Sequence, residues 1–361
     1  MMPEAATRHD VCPTTSEVPM RFGMFVPQGW RMDLVGIEPA QHWATMLGLA
    51  RRLDDNEDWE SLWVYDHFHT VPEPSQEATH EAWSLMAAYG AATTRVRLGQ
   101  MCTCMAYRNP AYLAKVAATV DVVSGGRVEM GIGGGWYEHE WRAYGYGFPK
   151  AGERLGRLRD GVEIFRQMWT KGEATYAGKY YTVDGAICQP RPLQGTSAPG
   201  SEANGIPMWI AGGGEKVTLK IAAEFADYTN FDGTPGGFQA KSEILAGHCT
   251  DVGRDFEAIT RSANYNVVIG ETEKEVADRF GWLEDHYRKA GLDEETLQGQ
   301  LKGIKDGPAV GTPEQIVETL QGMEKAGMTY AITYFTEAAY DTSGIELFES
   351  QVIPELRSPR G

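Results

Sequence analysis

Short apolar runs alternate along this chain with longer stretches in which apolar residues recur every three or four positions, so strand and helix alternate. Runs at 21–27 (RFGMFVP), 61–65 (SLWVY), 96–104, 127–132 (RVEMGI), 206–210, 228–231, 261–269 and 328–335 predict eight strands. Helical spacing predicts helices over 39–54, 81–93, 110–124, 154–169, 216–226, 238–250, 272–291 and 312–326, with a last one over 345–356. The punctuation agrees. Asn109-Pro110 opens one helix and Gly125-Gly126 closes it, while Thr312-Pro313-Glu314-Gln315 has the form of a capping signal. Eight such units predict an α/β fold, a (β/α)8 TIM barrel, with an open doubly wound sheet as the alternative that pattern alone leaves. Stretches 171–205 and 292–310 show little periodicity and are read as insertions after strands 4 and 7, the first holding a small hairpin (TYAGKYYTV). Residues 1–19 read as a loose polar extension, and 20–361 as a single barrel domain.

Composition narrows the function. Acidic residues outnumber basic ones 50 to 33, a formal charge of −17, which argues against nucleic acid and anionic membranes as partners. An anionic cofactor would need backbone N–H groups or a few Lys and Arg. The first 19 residues lack the apolar segment of a signal peptide, and no apolar run approaches the roughly 20 residues that span a bilayer. Five cysteines, an odd number in a large chain, argue against a disulfide framework and for a reducing cytoplasm. Cys102 and Cys104 form a C-x-C with no second ligand pair, so no metal site is expected.

In a barrel of this kind the chemistry sits at the C-terminal ends of the strands. There the sequence places Gln28, Asp66 to His69, Met101 to Cys104, Gly133 to His139 and Ala211 to Gly214. The imidazole of His67 can move a proton near neutral pH, with Asp66 holding or activating a neighbour; the plain alternative is a capping Asp and a hydrogen-bonded loop His. Gly212-Gly213-Gly214 before a helix offers bare N–H groups to an anion, or is simply a tight turn. The run from Gly131 to Gly135 lacks the last glycine of a dinucleotide fingerprint, because Trp136 stands there. Glu138, His139 and Glu140 are adjacent without helical ligand spacing and read as a solvated face.

Taken together, SLWVYDHF at 61–68, the long run from 97 to 149 containing R-N-P…A-A-T-V-D-V-V-S-G-G-R…G-I-G-G-G-W, RLGRLRDGVEIFRQMW at 154–169, IPMWIAGGGEKV at 206–217 and the segment 311–335 resemble the bacterial luciferase-like family. The likeness is strongest to its branch of oxidoreductases that use the deazaflavin coenzyme F420, and it spans nearly the whole chain from about residue 20. The resemblance implies hydride transfer between F420 and a small-molecule substrate, with His67 as the proton-transfer residue and Asp66 at the deazaflavin. It implies a non-proline cis peptide between Met101 and Cys102, beside Thr103, under the ring. It places Gly133, Gly135 and His139 in the loop after strand 4, and Gly212, Gly213 and Gly214 at the phosphate. Lys216 or Lys220 would serve the acidic tail, and a homodimer is expected. The sugar-phosphate dehydrogenases of this branch carry a Trp where Val71 stands and a catalytic Glu where Trp136 stands, which argues against that substrate. An FMN-dependent monooxygenase and a non-catalytic deazaflavin-binding protein are the alternatives.

Overall fold

In the computed structural model, residues 19–194 and 205–357 are described. The extension read at 1–19 therefore lies outside them except for its last residue, and so does part of the stretch at 171–205. Eight parallel strands, β1 (Arg21–Phe25), β2 (Ser61–Val64), β3 (Arg97–Gln100), β4 (Val128–Gly133), β5 (Met208–Ala211), β6 (Tyr228–Asn230), β7 (Thr260–Asn266) and β8 (Tyr330–Tyr334), follow one another around a closed barrel. Pairing of β8 with β1, and of β3 with β4, completes the ring. Helices lie outside it, and the main apolar core fills the layer between them and the strands. Strands buried on both faces need no polar alternation, which is why SLWV and VEMGIG are buried throughout.

The lumen is filled by aromatic rings. Phe25, Trp63, Tyr65, Trp209, Tyr330 and Tyr334 form one cluster. Trp63 fits only because its neighbours lack side chains: a Cβ on Gly99 would stand 2.3 Å from its ring, and one on Gly23 2.5 Å from its Nε1. The indole donates to Ser61 Oγ (2.6 Å), which shares a proton with Tyr330 Oη at 2.6 Å. Trp209 Nε1 donates to Glu129 (2.6 Å), whose other oxygen accepts from Arg97. Burial pushes the Glu129 carboxyl up to about 7 against the pull of Arg97 and Trp209. Gly99→Ala is expected to cost about 1–3 kcal/mol by overpacking, read as a shift in the urea midpoint with an unchanged slope.

Three local outcomes differ from the sequence reading. Strand 3 is not continuous over 96–104: it stops at Gln100, passes through the cis peptide between Met101 and Cys102 that the resemblance implies, and resumes at Thr103–Cys104. A short helix, Glu138–Ala143, follows the glycine turn; Glu138 and Glu140 lie in its first turn and Arg142 pairs with Glu138 at 2.7 Å. The stretch at 292–310 holds a helix, Glu294–Lys305, capped by Asp293, which accepts from Thr296 N (2.9 Å). Gly299 and Gly303 hide its periodicity, although Leu297 and Ile304 mark its buried face. The hairpin is present as Glu173–Ala177 paired antiparallel with Thr182–Ile187.

Candidate active site

The C-terminal ends of β2, β3, β4 and β5 are neighbours on one rim, because parallel strands end on the same side. The D-H-F segment, the Met101–Cys102 bulge and both glycine turns therefore converge. Contacts tie them together: a Cβ on Gly133 would stand 2.7 Å from Cys102 Sγ and 3.6 Å from the Ala211 carbonyl oxygen. Gly135 has φ +76°, and a Cβ there would lie 2.6 Å from Cys104 Sγ. These two glycines are the condition for packing the turn after β4 onto the bulge.

His67 is held from three sides. Its Nδ1 lies 2.9 Å from Glu140 Oε2, its ring stacks on Trp30 with centroids 4.3 Å apart and planes 2° from parallel, and the edges of Trp136 and Tyr137 face it at 5.7 and 5.9 Å. A buried carboxylate fixes the proton on Nδ1 and leaves Nε2 as the basic nitrogen. Glu140, whose side chain is fully buried, also accepts from Phe68 N (2.8 Å), His69 N (3.0 Å) and Tyr107 Oη (3.0 Å). Burial alone would raise its pKa. The hydrogen bond and charge of His67, with the N–H groups of His69 and Phe68, outweigh burial and hold the carboxyl below its ordinary range.

A lowered folded pKa means that Glu140 stabilises the fold above the ordinary carboxylate range and loses that contribution as pH falls through its own depressed value. Glu140→Gln is expected to flatten the acid limb of stability against pH and to cost about 1–3 kcal/mol at neutral pH. It should also slow any reaction that uses Nε2, since the amide N–H then faces Nδ1 and sends the ring proton to Nε2. Urea unfolding across pH 3–7 and rate measurements check both parts.

Asp66 holds neighbours, one of the two uses its sequence allows, and these are Arg108 and the strand-3 bulge; His67 is held by Glu140 instead. Both of its oxygens are taken by Arg108 (2.7 and 2.9 Å), and Oδ2 also accepts from Cys104 N (2.9 Å). It therefore ties β2 to the strand-3 bulge. Thr103 Oγ1 donates to Gln100 Oε1 at 2.7 Å, and Met101 is buried. Burial and then the charge of Asp66 push the Cys102 thiol up to about 12, so it is no nucleophile. His139 lies on the short helix with its Nδ1 3.0 Å from His69 Nδ1. After β5, Gly212 has φ +115° and its N–H reaches Asn230 O (2.9 Å). Beyond it a groove of about 420 Å³ is lined by Leu155, Gly213, Gly214, Glu215, Lys216, Val217 and Lys241. Lys241 pairs with Glu215 at 2.7 Å, while Lys220 is exposed on the following helix outside this lining.

Sequence reasoning missed Glu140, Trp30, Arg108 and Lys241. Glu140 looks solvated in the sequence because its partners, Phe68, His69 and Tyr107, are 72, 71 and 33 positions away. Among the described residues, no group of three or more His, Cys, Asp or Glu could hold a metal, and no helix is long and apolar enough to cross a membrane. The described cysteines, Cys102, Cys104, Cys188 and Cys249, are free thiols.

Comparison with known proteins adds three findings. A family model described as luciferase-like monooxygenase matches residues 20–330. Two curated proteins named F420-dependent glucose-6-phosphate dehydrogenase are similar to the chain. The one from Amycolatopsis mediterranei is 34% identical over 171 residues, 46% of this chain and 47% of that protein, so the chain matches about half of its length. The one from Kineococcus radiotolerans is 28% identical over 318 residues, 82% of this chain and 89% of that protein. A solved F420-dependent secondary alcohol dehydrogenase, in complex with an F420-acetone adduct, superposes with a TM-score of 0.74 at 21% identity, covering 94% of this chain and 100% of that one. At that identity the superposition establishes the fold.

Proposed function

The chain belongs to the luciferase-like monooxygenase family, and on that premise we propose that it is an oxidoreductase transferring a hydride between coenzyme F420 and a small organic substrate, with His67 moving the accompanying proton. The observation that carries this is the orientation of His67. Glu140 takes Nδ1, Trp30 fixes the ring plane, and Nε2 is left as the basic nitrogen on the rim where β2 ends. The relatives named F420-dependent support the choice of cofactor.

The residues fit such a group. Bare glycine N–H groups at 213 and 214 and the left-handed Gly212 make a turn that a Cβ would spoil, as an anion cradle before a helix requires. Met101, Cys102 and Thr103 would lie under the ring, with Asp66 behind them and Gly133, Gly135 and His139 at its edge. Gly212, Gly213 and Gly214 would take the phosphate, and Lys216 and Lys241 the acidic tail. When bound, F420 supplies a carbon that gives or takes hydride. The chain orients both partners, excludes water with its aromatic shelf, and holds or moves one proton at His67 Nε2. With an alcohol as substrate, His67 Nε2 would take the hydroxyl proton, and with a carbonyl it would return that proton to the oxygen.

Val71 lies against the lumen cluster and Trp136 is 60% exposed at the mouth, so neither supplies the ring or carboxylate that a sugar phosphate would meet there. The same reading takes the working form as a homodimer in the cytoplasm, with 20–361 as one domain. The alternative that the family's description favours is an FMN-dependent monooxygenase. Anaerobic titration of F420 and of FMN into the protein, followed by visible absorbance, separates the two. F420 should bind, and reduced F420 should be consumed without oxygen uptake. Exclusive FMN binding with oxygen consumption would overturn the proposal.

A further inference from the structure

The rim carries a second polar row away from the residues assigned to the cofactor. Along β7, Ala263 and Tyr265 pack outward into the main core, so Ser262, Asn264 and Asn266 point into the lumen. Ser262 is buried, Asn264 is exposed, and Asn266, nearest the mouth, is half-buried. An exposed side chain at a lumen-facing position means that the barrel opens into a well there. Asn230 on β6 donates to Ser262 Oγ (3.0 Å) and to Asn264 Oδ1 (2.9 Å). Arg31, in the loop after β1, donates through Nη1 to Asn266 Oδ1. The amide oxygens of this row are thus consumed internally. The N–H₂ groups of Asn264 and Asn266, and Nη2 of Arg31, have no acceptor among the described residues.

Arg31 lies among aromatic rings rather than acids. Its guanidinium carbon is 4.8 Å from the ring centre of Tyr334, 5.3 Å from Trp30 and 5.5 Å from Tyr65. Among the described residues no carboxylate forms an ion pair with it, and its Nε is buried without a partner. The neighbouring Asp33 is used up, accepting from Gly29 N (2.6 Å), Gln28 N (3.3 Å) and Tyr334 Oη (2.9 Å). Arg108, on the cofactor side, shows the contrast: it is doubly paired, with Asp66 and Glu81. Asp33 is near enough to act on Arg31 through its charge but bonds elsewhere, so a half-buried cation flanked by further donors and bonded to no carboxylate has room for an anion.

We propose that Arg31, Asn264 and Asn266 form the substrate-recognition subsite, and that it takes a carboxylate. Trp30 joins this row to the proton-transfer residue, since Arg31 covers one part of its ring and His67 stacks on it. A substrate whose carboxylate meets the donors while its hydroxyl or carbonyl oxygen meets His67 is a hydroxy acid or keto acid. This assignment rests on the proposed hydride-transfer function for its chemistry, but not for its anion binding.

Calorimetric titration of the full chain with benzoate and with benzamide, probes of equal shape and different charge, tests it without turnover. Benzoate should bind at least about 10-fold more tightly, as a charge-assisted hydrogen bond implies. Arg31→Ala should abolish the difference and Arg31→Lys should retain part of it, with thermal unfolding confirming that both variants are folded. Equal binding of the two probes to the wild type, or a preference that survives Arg31→Ala, overturns the proposal. So does competition between benzoate and F420, which would give the donor row to the cofactor. Absence of F420 binding alongside an Arg31-dependent preference for benzoate would instead sink the function proposed above and leave this subsite standing.

Discussion

Replacing His67 with alanine is expected to lower turnover about 10²–10⁴-fold while leaving F420 affinity within a few-fold of wild type. The size follows from the role. A positioned base removes the proton as the hydride leaves, and without it water or buffer must do so from no fixed place. The small effect on binding follows from geometry, because His67 is already spoken for by Glu140 on one side and Trp30 on its face. Measurement needs an F420 titration of both proteins, and a rate with whichever member of a panel of small hydroxy and keto acids the wild type turns over. A variant that binds F420 poorly but keeps its maximal rate would make His67 a cofactor contact and remove it from proton transfer. Glu140→Gln separates the cases further: it keeps the ring but reverses its tautomer, so a rate loss there with intact F420 binding points to the proton and not to the ring's bulk.

The barrel was legible because its strands are buried on both faces and its turns carry their own glycines and caps. Asn109 and Gly125 close the same helix in the structure that they punctuate in the sequence, with Asn109 accepting from Ala111 and Tyr112 and Gly125 at φ +73°. What the sequence hides is who pairs with whom. Glu140 has the appearance of a surface residue in an E-H-E run; only closure of the rim brings it under Phe68 and His69. Arg31 reads as an ordinary loop cation, and nothing local says that Asn266, 235 positions later, is its partner. The helix over 294–305 is obscured by two glycines, which lower helix propensity without preventing the helix once Leu297 and Ile304 are buried. Periodicity reports burial along one element, whereas a catalytic site is a set of contacts between elements.

Asp66 is where this distinction has the largest energetic consequence. The sequence reading placed it at the cofactor, and the structure shows its oxygens bound to Arg108 and to Cys104 N within a side-chain environment closed to solvent. Asp66→Ala is therefore expected to destabilise the fold by about 3–5 kcal/mol, the range for breaking a buried pair, because Arg108 keeps its charge and loses its bidentate acceptor. Glu81, 2.7 Å from Arg108 on the half-exposed side, can compensate only part of that. Asp66→Asn should fall between, retaining an acceptor for Cys104 N but not the charge. Urea unfolding of the three proteins gives the order, and F420 titration of the folded fraction gives the alternative. If Asp66→Ala unfolds at the wild-type midpoint and loses only F420 affinity, the carboxylate belongs to the cofactor and Arg108 is merely its neighbour. If stability and affinity fall together, with Arg108→Ala reproducing both, the pair acts as the brace that sets the bulge at Met101 and Cys102, and cofactor binding is felt through that bulge.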